Sequence, residues 1–211
     1  MRRILFFDTE TTGFSKRNEA GVVIQPRIIQ LAVSVYLESE TVGVQKIKSK
    51  EFLIKPDGWK IPDLDYWLNK GISDVEAEKR SKFWTDNGFT NEESHTRGVP
   101  IIDALNFFKF HHKDADLIVA HNMDFDSLVL GSELNMAGLL LPRKPKFCTM
   151  KSTIDYCRLP FPKGGSGFKF PKLEELYRIL FGKEFEGAHQ AISDTEGCAE
   201  CYFELLKRGL I

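Results

Sequence analysis

Apolar residues along this chain follow two rhythms. Short unbroken runs, Ile4-Leu5-Phe6-Phe7 and Leu117-Ile118-Val119-Ala120, read as strands buried on both faces. The opening strand is predicted over 3–9, a second over 27–36, and a third over 46–54, with a connecting loop over 15–26. Asp116 to Ala120 and Phe147 to Met150 give two later strands. Three antiparallel strands followed by parallel ones alternating with helices imply a mixed, five-stranded α/β sheet flanked by helices.

The second rhythm is helical. Ile101, Ile102, Leu105 and Phe108 recur at 3–4 residue spacing in 99–112. Helices are also predicted near 62–68, 125–137, 173–181 (stopped by Gly182) and 191–208 (stopped by Gly209). Ser73 and Glu76 have the spacing of a capping box and open another helix. The stretch 81–98 is polar, and irregular structure is expected there. Lys163 to Phe168, rich in glycine, reads as a flexible loop and a candidate to face substrate. No repeat or long linker divides the chain, so a single domain over 1–211 is expected.

The first strand runs straight into Asp8-Thr9-Glu10. Alternate strand residues share a face, so both acids point the same way. Two carboxylates at the end of a buried strand repel and resist desolvation. Two readings fit: half of a site for a hard divalent cation such as Mg2+, or a solvated strand end.

Charge narrows the function classes. Net charge is −1, from 29 basic and 30 acidic residues. That balance argues against coating nucleic acid by bulk charge. Local basic groups at 143–146, 163–172 and Lys46, Lys48 and Lys50 could still hold phosphates, though each also reads as a solvated face. No apolar run is long enough for a membrane span, and no signal peptide pattern precedes Ile4, so a cytoplasmic setting is expected. The four Cys are compatible with free thiols there, and Cys198-x-x-Cys201 reads as one buried helix stripe rather than zinc. His111-His112, at a helix end, reads as a partner of the helix dipole.

Two further acids stand out. Asp126 follows the turn His121-Asn122-Met123-Asp124-Phe125. Asp194 shares a helix stripe with Ala191, Cys198, Cys201 and Leu205, where an acid is costly unless paired or bound to metal. Asp-x-Glu on the first strand, His-Asn-x-x-Phe-Asp after a later strand, and His-x4-Asp entering the last helix occur in the order found in the DEDDh exonucleases. Over residues 4 to about 208 the chain resembles that DnaQ-like family, which includes proofreading epsilon subunits, ribonuclease T and oligoribonuclease.

The resemblance implies a ribonuclease H-like fold and a metal-dependent 3′→5′ exonuclease that hydrolyses phosphodiester bonds and releases nucleoside 5′-monophosphates. Asp8, Glu10, Asp126 and Asp194 match the four acids that hold two Mg2+ or Mn2+ ions. His189 matches the general base, and Gln190 stands where the tyrosine variant of the family has its Tyr. The spacing selects Asp126 over Asp124. By the same resemblance Glu10 reaches the terminal 3′-hydroxyl, and Thr11, Gly13, Phe14, Asn122 and Phe125 match substrate-binding positions. Lys70 stands where relatives often carry His and is a candidate phosphate contact. Partners implied are 3′ ends of single-stranded or frayed DNA or RNA, with DNA weakly favoured, and a polymerase or other replication or repair protein. The rival is a catalytically silent nucleic-acid-binding or polymerase-associated module on the same fold. An internal nuclease of the ribonuclease H class is a second, lacking this histidine placement.

Overall fold

The computed structural model describes residues 1–211. Strand β1 (Arg2–Thr11) is followed by a short hairpin of two-residue strands, β2 (Lys16–Arg17) and β3 (Val23–Ile24). Strands β4 (Ile28–Ser39) and β5 (Gly43–Leu53) complete an antiparallel meander. Four helices come next: α1 (Leu64–Leu68), α2 (Asp74–Asp86), α3 (Asn91–Arg97) and α4 (Ile101–Lys113). The chain then runs β6 (Leu117–Ala120), α5 (Met123–Met136), β7 (Lys146–Cys148), short helices α6 (Thr149–Ser152) and α7 (Ile154–Cys157), α8 (Leu173–Phe181) and α9 (Ala191–Lys207).

The main sheet has the order β5-β4-β1-β6-β7. β1 pairs antiparallel with β4 and parallel with β6, and β6 pairs parallel with β7. This is the mixed five-stranded sheet expected from the sequence. β1 sits at its centre, so Ile4 to Phe7 are buried on both faces. Their alternation assigns the two layers. Leu5 and Phe7 pack with Phe108 of α4 and Val129 and Leu130 of α5. Ile4 and Phe6 pack with Cys198, Ala199 and Tyr202 of α9. Asp8 and Glu10 continue the Ile4–Phe6 side toward α9, and Thr9 continues the Phe7 side toward α5.

Several expectations needed correction. The stretch 81–98 is helical for most of its length, in the second half of α2 and in α3. Phe89 buries against Ile29 and Ile61, with Trp84 packed beside it, and polar contacts add to this. Buried Asp63 accepts from Tyr66 N at 3.0 Å and from Asn91 N at 2.7 Å, tying α1 to the start of α3. Ser73 precedes α2 but its side chain makes no cap bond. Glu76 instead accepts from Arg80 Nε at 2.7 Å, one helical turn on. The 15–26 loop carries the β2–β3 hairpin. His111 and His112 are both buried, and burial lowers the pKa of each, His112 to about 4. Neutral rings are not the cationic dipole partners the sequence suggested. Lys169, from the glycine-rich loop, is paired with Glu175 at 2.5 Å, which anchors one end of that loop on α8.

Candidate active site

The acids meet where β1 leaves the core. Asp126, in the first turn of α5, is 3% exposed. Its Oδ1 accepts from both Thr9 N (3.0 Å) and Thr9 Oγ1 (2.8 Å). The residue between the two strand acids therefore fixes the third acid from the opposite layer. Asn122, just before α5, adopts a left-handed conformation (φ 70°) that turns the chain from β6 into the helix. Asp124 lies at the surface, paired with Lys151, as the spacing argument required.

Asp194 comes from the first turn of α9, and its Oδ2 accepts from His189 N at 3.0 Å. That helix start is pinned to the sheet by two polar side chains. Gln30 Oε1 accepts from Ala191 N at 3.1 Å, and Glu51 Oε1 accepts from Ile192 N at 2.9 Å. Gln30 lies opposite Glu10 in the β1–β4 register, so one strand pair sets both Glu10 and the helix carrying Asp194.

Oxygen or nitrogen atoms of Glu10, His189 and Asp194 lie within 4.8 Å of one another. His189 is exposed, has φ 67°, and packs edge-on against Phe83 with ring centroids 5.3 Å apart. Beside it, Gln190 Nε2 donates to Asn87 O at 3.1 Å, and Phe185 fills the space over Gly197. A Cβ at Gly197 would come within 2.4 Å of that ring, so a glycine within α9 makes the close approach possible.

Electrostatics mark these acids as unusual. Burial, then Asp126, Asp194 and Glu10, raise the Asp8 pKa well above the ordinary carboxylate range. Burial and the neighbouring acids push Glu10 up to about 8. Asp126 is raised by burial against the opposing pull of its Thr9 hydrogen bonds. Asp194 is raised by burial against the His189 hydrogen bond. No cation of the protein neutralises this group; Glu133, another buried acid, is by contrast held by Arg27 at 2.8 Å. Oxygen-rich, carboxylate-only donors with an imidazole beside them fit a hard divalent ion, whose binding would remove the repulsion.

A cleft of about 530 Å³ opens beside Glu10. Thr11, Gly13, Phe14 and Phe125 line it; Asn122 does not. Phe14 is 78% exposed and meets the Phe125 ring edge-on at 5.8 Å. Thr11 Oγ1 donates to Gly13 O at 2.8 Å, holding the turn in which Gly13 takes φ 125°, a conformation that favours glycine. The opposite wall, Tyr66, Trp67, Phe83 and Trp84 of α1 and α2, escaped the sequence reading. Trp84 Nε1 donates to Thr11 O at 3.0 Å, joining that wall to the strand end. The available signal was the concentration of aromatic residues at 66–67 and 83–84 in otherwise polar segments.

This sheet order is that of the ribonuclease H-like fold, and comparisons with known proteins agree with the DEDDh resemblance. The chain is 31% identical over 207 residues to the 3′-5′ exonuclease DinG of Bacillus subtilis (strain 168). The match covers 98% of this chain and 18% of that relative, so the chain corresponds to a small part of it. No protein-family model matches. Among solved structures, a 3′-exonuclease recognising a histone mRNA stem-loop superposes with TM-score 0.59 at 16% identity, over 99% of this chain and 64% of that one. The Saccharomyces cerevisiae Pan2 pseudoubiquitin hydrolase–RNA exonuclease module in complex with AAGGAA RNA gives TM-score 0.59 at 15% identity, over 98% and 29%. Neither description nor that of DinG names a polymerase, so the expected polymerase partner gains no support. No helix is long and apolar enough to cross a membrane.

Proposed function

We propose that the chain is a metal-dependent 3′→5′ exonuclease acting on single-stranded 3′ ends and releasing nucleoside 5′-monophosphates. The observation that carries this reading is the clustering of Asp8, Glu10, Asp126 and Asp194, with His189, at the mouth of an aromatic cleft. Asp8, Glu10, Asp126 and Asp194 would hold two Mg2+ or Mn2+ ions. Bound there, such ions stabilise the attacking and leaving oxygens of an in-line displacement.

The protein's own groups account for the remaining steps. His189, exposed beside Glu10 and Asp194, accepts the proton of the attacking water. Thr9 holds Asp126 in place. Phe14 and Phe125 offer faces and edges for the terminal bases, a sequence-tolerant mode of recognition. The aromatic wall at Trp84 limits the space at the strand end, which favours a terminal nucleotide over a through-running chain. Lys16 lines the same cleft, and Lys70 Nζ sits 4.7 Å over the Tyr66 ring, so both are placed to meet phosphates. RNA and DNA ends are both proposed substrates.

The test is digestion of 5′-labelled single-stranded DNA, single-stranded RNA and duplex DNA in Mg2+, with and without EDTA. A ladder shortening from the 3′ end, lost in EDTA and in Asp8→Ala, is expected. Binding of these ligands by folded protein without any cleavage would move the assignment to a silent nucleic-acid-binding module.

A further inference from the structure

A second cavity, of about 400 Å³, lies on the sheet face opposite Asp8 and Glu10. Phe7 and Ile118 form its floor, and Phe108 of α4, Leu130 of α5 and Leu141 form its apolar walls. The size falls within the range of small-molecule sites.

Its polar groups have one sign. Arg143, Lys144 and Lys146 line it, and no carboxylate does. Lys144 Nζ donates to Lys113 O at 2.7 Å and Lys146 Nζ to Ser127 Oγ at 3.0 Å. None of the three is paired with an acid. His112 also lines the cavity, is 5% exposed, and its Nδ1 has no hydrogen-bond partner. A buried polar nitrogen left so is unfavourable. Burial, reinforced by Lys144 and Lys146, keeps this ring neutral near pH 7, with one nitrogen a donor and the other an acceptor.

Gly131 adds an independent observation. It lies within α5 and lines the cavity, and a Cβ there would meet nothing within 4 Å. Packing does not require glycine at this position, although glycine costs a helix interior about 1 kcal/mol relative to alanine. Its effect is to leave the groove open.

We propose that this cavity is a second binding site, independent of the acid cluster, for a small organic anion: an aromatic body carrying a phosphate. The apolar walls take the ring, and Arg143, Lys144 and Lys146 meet the charge. A nucleoside monophosphate has this composition and serves as the probe. The assignment does not depend on nuclease activity.

The experiment is calorimetric titration of the full chain with AMP, adenosine and inorganic phosphate in EDTA, which removes divalent ions from the acids. AMP is expected to bind at least tenfold more tightly than adenosine or phosphate. Gly131→Phe, which fills the groove, and Arg143→Ala, in the exposed loop, should each weaken AMP at least tenfold, while Asp8→Asn should not. Unchanged melting temperatures establish that both cavity variants fold, and Arg143→Ala carries the test if Gly131→Phe does not fold. No AMP binding at millimolar concentration would overturn the proposal. So would AMP binding that survives Arg143→Ala but is lost in Asp8→Asn. Binding of an oligoglutamate peptide in place of AMP would assign the surface to an acidic protein partner and equally overturn it.

Discussion

Thr9 grips Asp126 with both its backbone N–H and its hydroxyl, at 3.0 and 2.8 Å, across the boundary between β1 and α5. The acids on either side of Thr9 face α9, so one tripeptide organises carboxylates from both layers. Thr9→Val keeps the shape and the N–H but removes the hydroxyl. A hydrogen bond to a charged group contributes about 1.5–3 kcal/mol. Exonuclease turnover should fall about tenfold or more with the fold retained, read as kcat alongside circular dichroism. An unchanged kcat would remove Thr9 from the positioning role.

The raised pKa values set a pH dependence. A carboxyl whose folded pKa lies above its unfolded value contributes stability fully present below the unfolded value and lost as pH rises through the folded one. For Glu10 the window runs from 4.5 to about 8. Asp8, Asp126 and Asp194 shift in the same direction. In EDTA the melting temperature should therefore decline from pH 5 to pH 9. Mg2+ should restore it, by about 2.7 kcal/mol at a hundredfold excess over Kd, and more effectively at high pH. Scanning calorimetry at several pH values checks both slopes. A melting temperature that rises with pH in EDTA would contradict the electrostatic assignment.

Asp8→Asn separates stability from function. Removing one charge from a repelling group should raise the metal-free melting temperature at pH 8 by about 2–4 °C for each kcal/mol of relief. The same change should reduce cleavage about a thousandfold or more, the effect of losing several kcal/mol of charge stabilisation. Paired melting and single-turnover assays on one preparation would show both.

Phe14 is 78% exposed, so truncating it leaves the core intact. Base–aromatic stacking contributes about 1–3 kcal/mol per base. Phe14→Ala should raise KM about 5- to 150-fold with little change in melting temperature. His189→Ala should lower kcat by about 10²–10⁴ while Mg2+ still raises the melting temperature.

The sheet and four acids were legible because strands bury alternate residues: once Ile4 to Phe7 read as a central strand, the shared face of Asp8 and Glu10 followed. Asp194 was legible as an acid in a core stripe. The second half of α2 and α3 was not, because Phe89 packs on Ile29 and Ile61 and Asn91 bonds Asp63, contacts between distant positions that leave no periodic trace. At Ser73 the hydroxyl makes no cap bond, and Glu76 pairs with Arg80, one turn on, instead of closing the box. Gln30 and Glu51 look like ordinary polar strand residues until the register and the start of α9 bring them together. Trp84 gains its place in the cleft through its bond to Thr11 and its packing on Ile29, Ile61 and Phe89, again tertiary contacts.

The most direct measurement compares one single-stranded oligonucleotide in linear and circularised form, incubated with the protein in Mg2+ and analysed by mass spectrometry. The acid cluster, opening onto a cleft lined by aromatic residues, predicts nucleoside 5′-monophosphates from the linear strand and an intact circle. Cleavage of the circle, or no product from the linear strand with folded, Mg2+-loaded protein, would contradict a 3′→5′ exonuclease.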